Sequence, residues 1–195
     1  MEACQASNTA TDPTFEPLCA QIELFERAAA YFGWPRERLI ALQEAEELFF
    51  RLFPYQYRAL QTIRIASQLS KGAGDHPDPA VRCESRLLSI VTCVINEAIE
   101  EGDLKLRGEE QGGELAFTIW ALAFGTRALM DTRVATRQLG IRDGFELNRR
   151  TTALLLDAIG WRPLQSEWDY TRTRQRIREQ LFASEWERIR RSSDA

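Results

Sequence analysis

The side chains able to do covalent or metal chemistry are few in this chain, and their spacing gives them little to work with. The four cysteines, Cys4, Cys19, Cys83 and Cys93, lie far apart, without the close pairs of a zinc or thiol–disulfide motif. They read as reduced thiols, with Cys19 and Cys93 packed as small hydrophobes. The single histidine, His76, sits in Gly72-Ala73-Gly74-Asp75-His76-Pro77-Asp78-Pro79. That loop composition suits a solvated side chain better than a metal ligand or a base. Carboxylates cluster at Glu44, Glu46 and Glu47 and again at Glu97, Glu100 and Glu101, and could sketch a di-metal site between helices. The Glu-x-x-His pairs that such a site needs are missing. No nucleophile neighbours a base, and no glycine-rich phosphate loop follows a strand. The expectation is a protein without catalysis, metal or cofactor, whose chemistry is reversible binding.

Candidates for binding are mostly aromatic. Phe49, Phe50, Phe53, Tyr55, Tyr57, Trp120 and Phe124 could line a pocket for a small apolar or amphipathic ligand, with Arg64, Asn96 or Arg127 as polar anchors. The alternative is that they fill the core. Trp120 is the strongest pocket candidate, because its indole N–H lies midway along an apolar stretch and needs a partner.

The elements that must position these groups are helical. Apolar residues recur at three- and four-residue steps, and alternating β-branched runs are absent. Helices are expected over 35–52, with Pro35 in the first turn and Pro54 as the stop, and over 55–69, followed by a loop at 72–79. A strongly amphipathic helix covers 79–101 and ends at Gly102. The helix expected over 109–136 is apolar on nearly every side between Leu115 and Phe124, so it needs cover from its own domain and from a partner chain. A helix over 145–159 ends at Gly160. A charged terminal helix runs from 167 to 191, where Ile177 with Leu181, and Phe182 with Trp186 and Ile189, form stripes that pack on the body. Its arginines, interspersed with glutamates, are expected on a solvated face.

Of the 195 residues, 44% are hydrophobic and 28% charged, an ordinary balance for a globular protein. No apolar run reaches the ~18 residues of a membrane span, and the first residues lack the basic start and apolar centre of a signal peptide. A cytoplasmic protein with no membrane partner is expected, with residues 1–13 as a disordered tail. The net charge of −4 is concentrated in residues 1–34, where Glu2, Asp12, Glu16, Glu23 and Glu26 face only Arg27. An acidic front weighs against strong affinity for phosphate.

Four segments in order carry a resemblance. Tyr31-Phe32-Gly33-Trp34-Pro35-Arg36-Glu37-Arg38-Leu39 is similar to the junction between DNA-binding head and helical body in TetR-family transcriptional regulators. Ala98-Ile99-Glu100-Glu101-Gly102-Asp103-Leu104 resembles the end of a body helix of that family. Phe117 through Gly125 resembles its long dimer-forming helix, and Leu154 through Leu164 resembles the close of its last helix. The resemblance implies an all-α, TetR-like helical bundle. Residues 14–34 would be a partial or degenerate helix-turn-helix, 35–165 a ligand-binding and dimerisation domain, and 166–195 a helical extension. It further implies DNA contacts from Arg27, Tyr31 and Arg36, and a homodimer interface holding Ala121, Gly125, Ala128, Leu154 and Leu155. Two functions follow: a ligand-responsive regulator, by the family's commoner habit a repressor, acting on operator DNA; or a headless dimeric sensor or interaction module that does not read DNA.

Overall fold

The computed structural model describes residues 15–67, 79–106, 111–132 and 134–193, and among them only helices form. In chain order these are α1 (Phe15–Ala29), α2 (Pro35–Leu52), α3 (Pro54–Ser67), α4 (Pro79–Glu100), α5 (Gly112–Asp131), α6 (Val134–Gln138), α7 (Gly144–Ala158) and α8 (Tyr170–Arg176), then a π turn (Ile177–Leu181) and α9 (Ala183–Ser193). The expected tail at 1–13, the loop at 72–79 and His76 lie outside the described residues. No described helix is long and apolar enough to cross a membrane.

Local chemistry sets the helix ends. Pro35 opens α2, and the Glu37 carboxylate accepts the backbone N–H of Trp34 at 3.1 Å. Asp143 caps α7 by accepting the N–H groups of Phe145 and Glu146. After α4 and α7 the chain turns through Gly102 (φ 82°) and Gly160 (φ 75°). Each left-handed residue lets a later N–H return to the helix: Leu104 to the Ala98 carbonyl and Trp161 to that of Leu156.

Three expected elements differ. Residues 14–34 do not hold two helices with a turn at Glu23; α1 runs unbroken from Phe15 to Ala29 and packs on α2 and α4. Leu18, Leu24, Phe25 and Ala28 form its buried face, a single 3.6-residue stripe that continues straight through the expected turn. The helix expected over 109–136 is divided into α5 and α6. The terminal helix is divided too: a π turn, closed by the Phe182 N–H on the Ile177 carbonyl, re-aims α9.

Helix α2 is the centre of the bundle, flanked by α1, α3, α4, α8, the π turn and α9. Leu39, Leu42, Ala45, Leu48 and Phe49 bury its apolar side. The other side is charged and equally buried: Arg36, Glu37, Glu44 and Glu47 are all at most 3% exposed. Glu44 takes Arg178 (2.6 Å) and Arg174 (2.9 Å) from the C-terminal segment. Glu47 pairs with Arg149 of α7 and with Arg51 one turn along (2.7 Å). Glu37 accepts from the Thr173 hydroxyl (2.6 Å), the Trp168 indole (3.1 Å) and Arg176 (3.1 Å). The arginines of the C-terminal segment therefore form the expected solvated face only in part: Arg172, Arg188, Arg190 and Arg191 are exposed, whereas Arg174, Arg176 and Arg178 turn toward the glutamates of α2. The apolar stripes hold as expected, with Ile177 and Phe182 fully buried.

Breaking a buried pair strands a charge, which costs about 3–5 kcal/mol. Glu44→Gln is expected to lower the urea midpoint accordingly at unchanged slope, whereas Arg191→Ala, whose partner Glu187 is itself exposed, should change stability by less than about 0.5 kcal/mol. A second prediction concerns acid. Burial raises the pKa of Glu185 and of Asp157, but hydrogen bonds outweigh it and leave both below the ordinary carboxylate range: Arg27 acts on Glu185, Gln165 and then Arg36 on Asp157. A depressed folded-state pKa contributes stability that is complete above the unfolded value and is lost as the pH falls through the folded one. Melting temperature should hold down to about pH 5 and fall below about pH 4. Arg27→Gln should flatten part of that decline.

Candidate functional site

Helices α1, α2, α4, α5 and α7 do not close completely. A cavity of about 60 Å³ remains between them, walled by Phe25, Leu39, Leu42, Leu87, Leu88, Val91, Ile119, Trp120 and Ala123. Into this apolar wall the helices insert polar groups: Gln21 of α1, Gln43 and Glu46 of α2, Glu84 of α4 and Asn148 of α7. Gln21 and Asn148 are 3% and 7% exposed, so their amides have left bulk water.

Three of these wall residues are incompletely paired. Gln21 Oε1, Gln43 Nε2 and Asn148 Oδ1 are buried without a hydrogen-bond partner among the described residues. Each orphaned buried group costs about 1–3 kcal/mol, so three around one cavity call for an occupant that supplies the missing bonds. A terminal amide presents a donor or an acceptor according to which way it is turned. The charges on the wall are less adaptable. Glu46 and Glu84 are carboxylates, both already engaged, Glu46 by Arg127 standing behind it, and among the described residues no cation lines the cavity. The wall therefore favours a neutral or cationic guest with hydrogen-bonding groups and disfavours an anion. Its volume is far below the ~300–1,000 Å³ of a drug-sized site and matches a few waters or a small organic molecule.

Of the expected pocket residues, Trp120 lines the cavity. Phe124 stacks on it, with centroids 5.7 Å apart, but is not itself part of the wall. Phe49, Phe53 and Tyr57 belong to a separate aromatic cluster at the α2–α3 corner, joined by Phe50 and Phe145. There they fill core. The Tyr57 hydroxyl accepts from Gln61 (2.5 Å) and from Arg127. Arg127 thus serves the cavity indirectly, by fixing Glu46 against Tyr57. Asn96 is exposed on α4, away from the cavity and close beside Gly112, and the side chain of Arg64 lies outside the described residues. Gln21, Gln43 and Asn148 were not anticipated. Their signal is an amide within an apolar stripe: Gln21 lies between Leu18 and Phe25, Gln43 follows Leu39 by one turn, and Asn148 follows Phe145.

The expected DNA contacts are engaged elsewhere. Arg36 is 1% exposed and donates to the carbonyls of Trp161 (2.5 Å), Pro163 (2.9 Å) and Ala153 (3.3 Å) and to Asp157 (2.7 Å). It also lies over the Tyr170 ring at 4.8 Å. Its guanidinium is saturated inside the fold and cannot meet a phosphate. Arg27 pairs with Glu185, donates to the Leu181 carbonyl (2.5 Å) and covers the Phe182 ring. Tyr31 is half-buried against the core, and burial raises its pKa.

The expected interface residues lie on one side of the molecule. Ala121, Ala128 and Leu154 are exposed, and Gly125 and Leu155 half-buried, on the packed pair α5 and α7. Phe117 (62% exposed) and Leu129 (58%) extend the same apolar face. No family model, curated protein or solved structure matches the chain.

Proposed function

We propose that the chain is a homodimeric helical receptor for a small molecule, and that the cavity between α1, α2, α4, α5 and α7 is its ligand site. The observation that carries this reading is the set of three buried, unpaired amides on an otherwise apolar wall. A guest that satisfied Gln21, Gln43 and Asn148 would tie α1, α2 and α7 together, and its binding free energy would add to the stability of the fold. Its chemistry is that of a small apolar molecule with a hydroxyl, amine or amide, neutral or cationic. The resemblance of the body to TetR-type sensors points the same way. Of the two functions that resemblance implies, the sensor that does not read DNA through residues 14–34 is the better supported, because α1 is a single helix and Arg27 and Arg36 are already bound.

A second copy would cover the apolar face of α5 and α7. Phe117, Ala121 and Ala128 recur at helical spacing there, and small residues allow close approach.

Small alcohols, amines and amides are expected to raise the melting temperature and to change tryptophan emission, with the emission change reduced in Trp120→Phe; carboxylic acids of similar size should do neither through this cavity. Gln21→Leu should leave the ligand-free protein as stable or more so, because a buried orphan is removed, and should abolish the response. A loss of about 1–3 kcal/mol in Gln21→Leu, with no response from the wild type to any probe, would mean that the amide is structural and the cavity empty of function. In sedimentation the wild type is expected as a dimer and Phe117→Asp with Leu154→Asp as a folded monomer. The dimer should not retard DNA flanking its own gene at physiological salt; sequence-specific retardation would restore the regulator reading.

A further inference from the structure

On the other side of Gln43 lies a second opening, a cleft of about 190 Å³ between α2, α7 and the start of the C-terminal segment. Its polar lining is of opposite character to that of the core cavity. Arg36, Arg149, Arg150 and Arg174 all reach it, and Glu146 is its only carboxylate. Two of these arginines are spent. Arg36 is saturated by three carbonyls and Asp157, and Arg149 is divided between Glu47 and Glu146. Arg174 Nε lies 2.9 Å from Glu44 as an ion pair without hydrogen-bond geometry, and its two terminal nitrogens meet no described partner. Arg150 is exposed and makes no hydrogen bond or ion pair with any described residue.

Between them stands Thr152, 1% exposed, whose hydroxyl has no partner; the unpaired Nε2 of Gln43 is on the same wall. The unspent groups are thus all able to donate: two guanidinium edges, one hydroxyl and one amide. Their charge is unbalanced as well. Glu44, Glu47 and Glu146 are shared among Arg51, Arg149, Arg174 and Arg178, and Arg150 stands beside them without an ion pair to a described residue, so guanidiniums outnumber carboxylates here. The Arg174 pKa is lowered, by burial first and then by the repulsion of Arg149 and Arg178 against the pull of Glu44, as expected where cations crowd. Ile40, Leu156 and Tyr170 supply an apolar flank.

We propose that this cleft is a binding site for a small organic monocarboxylate, its carboxylate held by Arg150 and Arg174 with the Thr152 hydroxyl, and its hydrocarbon part laid on Ile40, Leu156 and Tyr170. The excess of guanidinium over carboxylate suits an anion, and a guanidinium edge matches the two coplanar oxygens of a carboxylate. The apolar flank of Ile40, Leu156 and Tyr170 gives a hydrocarbon part a place that inorganic phosphate cannot use. Gln43 lines both openings, but the groups assigned to the carboxylate, Arg150, Arg174 and Thr152, do not line the core cavity.

The test is calorimetric titration of the full chain with benzoate and butyrate at constant ionic strength, against methyl benzoate, phosphate and chloride. Saturable binding of a carboxylate is expected, with no heat from the ester and at least tenfold weaker binding of phosphate. Arg150→Gln and Thr152→Val should each weaken the carboxylate at least tenfold. Thr152→Val keeps the shape of the buried side chain, and the exposed Arg150 serves if that variant does not fold. Gln21→Leu should leave carboxylate binding intact, so that failure here and failure of the core cavity are told apart. Absence of carboxylate binding, phosphate binding as tight as carboxylate, or unchanged affinity in Arg150→Gln would each overturn the proposal.

Discussion

Three carboxylates on one central helix govern the architecture. Glu37, Glu44 and Glu47 are withdrawn from water along one side of α2. Removing a carboxylate from solvent costs several kcal/mol, and an ion pair offsets that only when its geometry is good and its remaining lone pairs are filled. The glutamates therefore add little net stability. They impose a requirement instead: α2 can occupy the centre only if guanidiniums arrive on that side. Arg149, Arg174, Arg176 and Arg178 meet it, and three of the four come from residues 166–193. Residues 166–193 are thus part of the core and not an appendage to it.

The same requirement explains why the arginines nearest the front of the chain are unavailable to an outside partner. Arg36 locks the start of α2 to the turn after α7 through main-chain carbonyls and Asp157. Arg27 locks α1 to the π turn and α9. The cation–π contact of Arg27 with Phe182 adds to a fully buried ring. With the charged side of α2 sealed in this way, the unpaired groups of Gln21, Gln43, Asn148 and Thr152 fall in two places on either side of α2. One is an amide-rich apolar cavity near α1, α4 and α5, and the other an arginine-rich cleft near α7 and α8.

The helical class of the fold was legible because helical periodicity and stop residues agree. Pro35, Gly102 and Gly160 each end or begin a helix where their backbone chemistry says they should. The outward apolar faces of α5 and α7 were also readable from Phe117, Ala121 and Leu154. What periodicity does not carry is the partner of a charge. Arg174, Arg176 and Arg178 lie in a strongly charged stretch and read as surface; only docking against α2 brings them onto buried glutamates. For the same reason the π turn after Arg176 was not visible, since it re-aims α9 to suit tertiary contacts with no glycine or proline to announce it. At the cavity, Trp120 could be found because a large ring with one polar atom declares a need. Gln21, Gln43 and Asn148 look like any solvent-facing amide until α1 and α7 close over them.

The separation in sequence between α2 and its neutralising residues has a bearing on biosynthesis. Glu37 meets Arg176, 139 residues later. At about 5–20 residues per second a ribosome takes roughly 7–28 s to cover that distance. Until Arg174, Arg176 and Arg178 emerge, Glu37 and Glu44 on the nascent α2 lack these cations, and its oily flank has only part of its eventual cover. Closure of the bundle consequently waits for the C-terminal helices, and a message truncated ahead of Arg174 would yield a polypeptide for proteases and chaperones to handle instead of a shortened fold.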